Sequence, residues 1–312
     1  MPGPVLVTGA AGFAGSHVLE MLAAAGEDVV AWRRTEAPPP VEARATWDAV
    51  DLLDRAAVTR ALGAVRPSVV YHCAGAAHVG RAWNTSATTL QINVLGTHHL
   101  LDGLRRSRIQ ATVLIPSSAM VYRPANTPLA EDDPLVPASP YGVSKLAQEL
   151  LGRHGATDGL DVRIARAFNH IGPRQDPGFA ASGFARRIAD IEAGRWPTPE
   201  IAVGNLDPER ETTDVRDTVR AYRRIVEAGV PGRAYNVCSG RAVPVRTVLD
   251  LLLRRARVPI TVRVDPARLR PNDLQIVTGD PGRIRRELGW TPEIPLEATL
   301  DALLEYWRRQ SR

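Results

Sequence analysis

Along the first 170 residues, apolar runs of strand length alternate with longer segments whose apolar positions recur at helical spacing. Strand candidates are Pro4–Thr8, Asp28–Trp32, Ser68–Ala74, Ala111–Ser117 and Asp161–Phe168, each rich in Val, Ile, Leu or aromatic residues. Between them the pattern predicts helices over Gly12–Ala25, Asp54–Ala64, Thr88–Arg106 and Ser139–His154. Such alternation makes a parallel sheet with helices on both faces, an α/β fold of the Rossmann, doubly wound type. Gly26 is placed to end the first helix and Asp54 to cap the second.

From about Asn169 the rhythm changes, with frequent Gly and Pro separating the segments Gly183–Gly194, Glu200–Gly204 and Val245–Arg255. This predicts a second, smaller, mixed α/β domain for the substrate. Asp217–Ala228 and Ala234–Ser239 again read as helix then strand and return to the first sheet. The expected division is therefore 1–168 with the return of about 216–240 for the dinucleotide, and 169–215 with 241–312 for the substrate. Leu296–Gln310 reads as a closing amphipathic helix, Pro38, Pro39 and Pro40 mark a stiff surface loop, and the chain shows no internal repeats.

Composition adds exclusions. A chain of 312 residues, 44% hydrophobic and 23% charged, has ordinary globular usage. No apolar run approaches the roughly 18 residues of a membrane span, and the first residues read as a strand and not a signal peptide, so the expected location is cytoplasmic. Cys73 and Cys238 are too few for a disulfide framework, and no spacing suits a metal. The net charge of +5 comes from arginines scattered along the chain, which favours a phosphorylated small molecule over nucleic acid. Of the 39 basic residues only Lys145 is lysine. An ammonium and a guanidinium are evidently not interchangeable there.

Thr8-Gly-Ala-Ala-Gly-Phe-Ala-Gly15 follows the first strand and opens the first helix. Gly9, Gly12 and Gly15, with Phe13 and Ala14 between them, suit a tight turn, close backbone approach to a pyrophosphate, and phosphates at the helix N-terminus. The second strand ends Val30-Ala-Trp-Arg-Arg34. An acid at that point selects NAD, whereas Arg33 and then Arg34 favour the 2′-phosphate of NADP(H). Asp51 and Leu52 after the third strand suit the adenine, and Ala74, Gly75 and Ala76 after the fourth leave room for the cofactor backbone.

Tyr141 and Lys145 stand four residues apart on one helix face. A nearby ammonium stabilises phenolate, so Lys145 is expected to lower the Tyr141 pKa towards the range of an acid–base catalyst. Ser117 and Ser118 end the fifth strand at its carboxyl edge, where Ser118 is placed to hold a substrate oxygen beside the tyrosine.

With these residues in hand, the chain resembles the extended short-chain dehydrogenase/reductase family of nucleotide-sugar enzymes over essentially its whole length. TGAAGFAG, Asn93-Val-Leu-Gly-Thr97, SSAMVY, PYGVSK, Arg166-Ala-Phe-Asn-His-Ile-Gly-Pro173 and Thr213-Asp-Val-Arg-Asp217 occur in the family's order. The resemblance implies a catalytic set of Ser118, Tyr141 and Lys145, with Lys145 also holding the nicotinamide ribose. It also implies that Asn169, Arg210 and Arg270 hold a nucleotide-sugar pyrophosphate, and that the chain pairs as a homodimer through the helices Thr88–Arg106 and Ser139–His154, with Leu95, Leu146 and Leu150 at the contact. His78-Val, FNHIGP, Ile191-Glu-Ala-Gly194, Val203-Gly-Asn-Leu206 and Asp265-Pro-Ala-Arg-Leu-Arg-Pro271 are similar to the GDP-mannose branch, and to its reductases more than its dehydratases. His78 and Trp83 are placed near the sugar. The dehydratases carry a carboxylate where this chain has Met120, and methionine cannot move a proton.

The reading is NADPH-dependent reduction of the 4-keto group of a nucleotide-linked 4-keto-6-deoxy-hexose, GDP-4-keto-6-deoxy-D-mannose to GDP-D-rhamnose. Its alternatives are a nucleotide-sugar 4-epimerase or a 4,6-dehydratase of the GDP-mannose type, and, from another class, a non-catalytic NADP-binding regulator. A missing acid at Arg33 argues against an NAD-retaining epimerase, and the intact Ser118, Tyr141 and Lys145 set argues against a regulator.

Overall fold

The structure, a computed structural model, describes residues 3–34, 43–268 and 276–311. The first part of the chain runs β1 (Val5–Thr8), α1 (Phe13–Ala24), β2 (Val29–Arg33), β3 (Thr46–Ala49), α2 (Arg55–Val65) and β4 (Val69–His72). It continues through α3 (Val79–Ala82), α4 (Ser86–Leu90), a π-helical turn at Gln91–Leu95, α5 (Gly96–Arg106), β5 (Thr112–Ser118), α6 (Pro140–Thr157) and β6 (Asp161–Ala167). The remainder is β7 (His170–Ile171), α7 (Ala180–Glu192), β8 (Glu200–Val203), β9 (Glu209–Glu211), β10 (Thr213–Asp214), α8 (Val215–Ala228), β11 (Ala234–Val237), β12 (Ala242–Pro244), α9 (Val245–Leu253), β13 (Thr261–Val264), β14 (Ile276–Val277), α10 (Gly282–Leu288) and α11 (Leu296–Gln310).

Seven strands form one sheet in the order β3-β2-β1-β4-β5-β6-β11, every pair parallel. This is the doubly wound arrangement expected, and β11 is the strand that returns to it. Alternate residues of β1 face opposite ways. Val5 and Val7 join a core with α1 and α8 through Leu19, Val219 and Tyr222, whereas Leu6 joins one with α2 and α5 through Val58, Leu62 and Leu100. A third core, with Ala185, Ile188, Leu249, Leu252, Leu300 and Leu303, gathers α7, α9 and α11 away from the sheet. Short strands flank it: β12-β9-β14, β13-β8 and β10-β7.

Local signals act as their chemistry demands. Gly26 at φ +75° ends α1, its N–H on Ala23 O and that of Glu27 on Leu22 O. Asp54 accepts from Ala57 N at 2.9 Å and caps α2. The helix read as Thr88–Arg106 starts two residues earlier and is interrupted by the π turn, which directs Asn93 inward. Leu146, expected on the dimer surface, is half-buried against the cluster of Tyr122 and Phe168, while Leu95 and Leu150 are 46% and 55% exposed. Among the described residues no helix is long and apolar enough to cross a membrane.

Candidate active site

The chain leaves β1 through Gly9, whose φ of +64° lies in the left-handed region. A Cβ there would come within 2.6 Å of the Ala74 backbone beyond β4, so only glycine serves. A Cβ on Gly15 would strike the Gly9 carbonyl, which brings α1 directly against the turn. No side chain caps α1, so the N–H groups of its first turn, at Phe13 and Ala14, remain donors for an anion.

Arg33 ends β2 with its guanidinium 5.4 Å from the centre of the Trp47 ring. Its Nε and Nη1 are buried without a hydrogen-bond partner among the described residues. Buried donors are normally paired; these two, beside the exposed Arg34, fit the oxygens of a 2′-phosphate. Asp51 Oδ1 accepts from Leu53 N at 2.9 Å, and Leu52 O accepts from His99 Nδ1 at 2.8 Å, which fixes the loop after β3. Ala74 N donates to Thr8 Oγ1, and Asn93 clamps Ala76 through both its amide atoms while its Nδ2 also donates to Ser144 on α6. A Cβ on Gly75 would fall 2.9 Å from Asn93 Oδ1. The turn, the α1 terminus and Arg33 together fit a dinucleotide carrying a 2′-phosphate.

Ser118 is the last residue of β5, and Tyr141 and Lys145 lie on the first turns of α6. Ser139 caps that helix by accepting from Gly142 N at 3.1 Å, and Pro140 occupies its first position. Ser118 Oγ accepts from Met120 N at 3.2 Å and hydrogen-bonds the Tyr141 phenol. Burial pushes the Tyr141 pKa up to about 12, and the Ser118 bond only partly opposes it. Lys145 does not bring it down: Nζ donates to Pro116 O at 2.7 Å and Gln148 Oε1 at 2.8 Å. Burial pulls the lysine itself down to about 8. The expected ammonium–phenolate pairing is thus corrected, because desolvation outweighs it and the ammonium is committed elsewhere.

Asn169 is exposed just beyond β6, and His170 stacks on Phe13 with ring centres 5.5 Å apart, so the exit of β6 meets the start of α1. His78 caps α3 by accepting from Arg81 N at 3.2 Å and lies 4.9 Å from the Phe179 ring. Trp83 is 62% exposed. Arg210 lies in β9 and donates to Glu209 O at 2.8 Å. Arg270 lies outside the described residues.

Beside His78 opens a cavity of about 450 Å³, lined among others by Arg81, Phe179, Phe184, Arg187, Trp196 and Arg268. An Arg81–Asp176 ion pair at 3.5 Å spans its edge. Arg187 lies over the Trp196 ring, 3.1 Å from its centre, and forms no ion pair among the described residues. Its pKa is lowered first by burial and then by the charge of Arg268. Crowded cations of this kind suit phosphate oxygens.

The family model described as GDP-mannose 4,6 dehydratase matches residues 6–303. A GDP-6-deoxy-D-mannose reductase of Pseudomonas aeruginosa is 38% identical over 99% of this chain and 98% of its own. The chain belongs to this family of extended short-chain dehydrogenase/reductases. Family members with other activities are also similar: a UDP-glucose 4-epimerase of Mycolicibacterium smegmatis is 32% identical over 98% of this chain and 99% of its own. Among solved structures, RMD from Pseudomonas aeruginosa complexed with NADPH superposes with a TM-score of 0.85, at 35% identity and covering 98% of this chain and 99% of that one. Members of the family are nucleotide-sugar oxidoreductases, and so is this chain.

Sequence reasoning missed Arg187 and Trp196, and it noted Arg268 only as part of the Asp265–Pro271 motif. The neighbouring Ile191-Glu-Ala-Gly194 stands out as a motif, but an arginine on a helix looks like any surface charge until the fold sets Trp196 and Arg268 beside it. The clamp formed by Asn93 was missed too, although its segment was recognised.

Proposed function

We propose that this enzyme reduces the 4-keto group of a GDP-linked 4-keto-6-deoxy-hexose, GDP-4-keto-6-deoxy-D-mannose to GDP-D-rhamnose, with NADPH. The observation that carries the reading is the pairing of Ser118, Tyr141 and Lys145 with Met120 in the turn directly after Ser118. That turn offers no carboxylate to remove the proton at carbon 5, the step a 4,6-dehydratase needs. The family relative of 38% identity is a GDP-6-deoxy-D-mannose reductase, which supports the same choice.

NADPH supplies the hydride. Gly9, Gly12 and Gly15 bring the backbone close to its pyrophosphate at the α1 terminus, and Arg33, then Arg34, hold the 2′-phosphate. The Ser118 hydroxyl holds the carbonyl oxygen of the sugar, and Tyr141 donates its phenolic proton to the alkoxide that forms. Tyr141, its pKa raised by burial, is in the protonated form from which a proton donor starts. Lys145 holds positive charge beside the ribose. Asn169, Arg210, Arg270 and the cations Arg187 and Arg268 receive the GDP moiety, with His78 at the sugar end of the cavity. The glycines and Arg33 stand in the proposed cofactor domain, 1–168 with the return of 216–240, and Asn169, Arg187, Arg210, Arg268 and Arg270 in the proposed nucleotide-sugar domain, 169–215 with 241–312. The protein works in the cytoplasm as a homodimer, supported by the exposed Leu95 and Leu150.

Reduction with NADPH deuterated at the transferred position tests the chemistry. Deuterium at carbon 4 of a 6-deoxy sugar nucleotide is the expected result, and a product without it refutes hydride transfer to that carbon.

A further inference from the structure

Lys145 stands at one end of a buried hydrogen-bonded chain that leads to the turn after β1. Thr97 Oγ1 lies 2.7 Å from Asn93 O, to which it donates its single proton. It therefore accepts from its other two partners, Gln148 Nε2 at 2.7 Å and His72 Nε2 at 2.9 Å. His72 thus carries its proton on Nε2, and Nδ1 accepts from Thr8 Oγ1 at 2.8 Å. The Thr8 oxygen in turn accepts from Ala74 N at 3.3 Å. With its NH₂ on Thr97, the Gln148 amide presents its oxygen to Lys145 Nζ at 2.8 Å. His72, Thr97 and Gln148 are all buried.

We propose that Thr97 and His72 are positioning residues that fix the polarity of the Gln148 amide, so that an oxygen faces the Lys145 ammonium and the lysine is tied to the glycine-rich turn. The ammonium, itself a donor, also selects the amide oxygen, but without the Thr97 oxygen the buried Gln148 NH₂ loses its acceptor and the orientation is held from one side only. An acceptor held on a buried ammonium favours its charged form. Thr97 acts from two hydrogen bonds away, through Gln148.

The titratable groups that sense the ammonium are Cys73 after β4 and His72 on β4; Tyr141 stands one turn before it on α6, and Tyr222 of α8 faces Cys73 and Tyr141. Burial raises the Cys73 thiol to about 12, Tyr141 to about 12 and Tyr222 well above its usual value, and lowers His72 to about 3. All are neutral where the lysine titrates. Glu149, next on α6 after Gln148, is bonded to Arg166, Arg153 and Ser117 instead.

That Lys145 serves the reaction rests on the function proposed above, but its titration does not depend on turnover, so the two can fail separately. Because the chain has one lysine, protein labelled with ¹³C at lysine Cε gives a single lysine signal whose shift against pH reads this group alone. Thr97→Val, close to the same shape without the hydroxyl, is expected to lower the midpoint by about one pH unit, the scale of one charge-assisted hydrogen bond. Thr97→Ser keeps the oxygen and is expected to hold the wild-type midpoint, and Gln148→Glu to raise it. A folded Thr97→Val protein with the wild-type midpoint, or equal shifts in Thr97→Val and Thr97→Ser, overturns the proposal. Should Thr97→Val not fold, an unchanged midpoint in Gln148→Glu overturns it equally.

Discussion

Arg166 Nη2 donates to Glu149 Oε1 at 2.6 Å, both side chains buried behind the helix that carries Tyr141 and Lys145. The pair is bidentate, with Nε on Oε2 at 3.0 Å. Ser117 Oγ also donates to Oε2 at 3.1 Å, and Arg166 Nη1 reaches Tyr122 Oη and Glu131 O, each at 2.8 Å. The strand that ends at Ser118 and the helix that carries Tyr141 are thereby held to one another from the rear.

Glu149→Gln leaves a buried guanidinium without its counter-charge and is expected to cost about 3–5 kcal/mol in denaturant melts at neutral pH. Burial alone would raise the Glu149 pKa, but Arg166 and Arg153 outweigh it and hold it below the usual carboxylate value. Its contribution is therefore complete above the ordinary glutamate pKa and is lost as pH falls through the lower folded value. Wild-type stability should decline on acidification over that window, and the variant should decline less; parallel acid limbs would refute the linkage.

The proposed role of Arg33 in cofactor choice makes a quantitative prediction. A hydrogen bond to a charged group is worth roughly 1.5–3 kcal/mol, so Arg33→Asp should weaken NADPH about tenfold or more while leaving NADH nearly unchanged. Fluorescence titration of both cofactors checks this, and equal affinities in the wild type would contradict the assignment.

Lys145→Arg keeps the charge but replaces a compact ammonium with a larger fork that does not suit the bonds to Pro116 and Gln148. Turnover should fall at least about tenfold, against the roughly 10²–10⁴ that an acid–base group contributes. Wild-type steady-state rates would mean that the lysine is incidental.

Much of this was legible in the chain because its causes are local. The spacing of Tyr141 and Lys145, the glycines after β1, and the caps at Gly26 and Asp54 act within a few residues, and α11 has the predicted bounds Leu296–Gln310. What was hidden depends on distant partners. Strands β9, β12 and β14 are two or three residues long and exist through pairing across the chain. The π turn at Gln91–Leu95 accompanies the clamp of Asn93 on Ala76. The raised pKa of the Tyr141 phenol is not legible from spacing, which shows a neighbouring ammonium but neither the burial of the ring nor the acceptors that claim Lys145.

The proposed homodimer is testable at two exposed leucines. Leu95 and Leu150 lie on the helices expected to pair, so Leu95→Arg with Leu150→Arg should turn a dimer into a monomer in sedimentation at micromolar concentration. A wild-type monomer there removes the homodimer.

The central claim is net reduction of a 4-keto sugar nucleotide, and the absorbance of reduced nicotinamide measures it. GDP-4-keto-6-deoxy-D-mannose should consume NADPH mole for mole, Tyr141→Phe should abolish the change, and GDP-mannose with NADP should give no 4-keto-6-deoxy product. Dehydration of GDP-mannose, or conversion of a sugar nucleotide without net loss of NADPH, would contradict it.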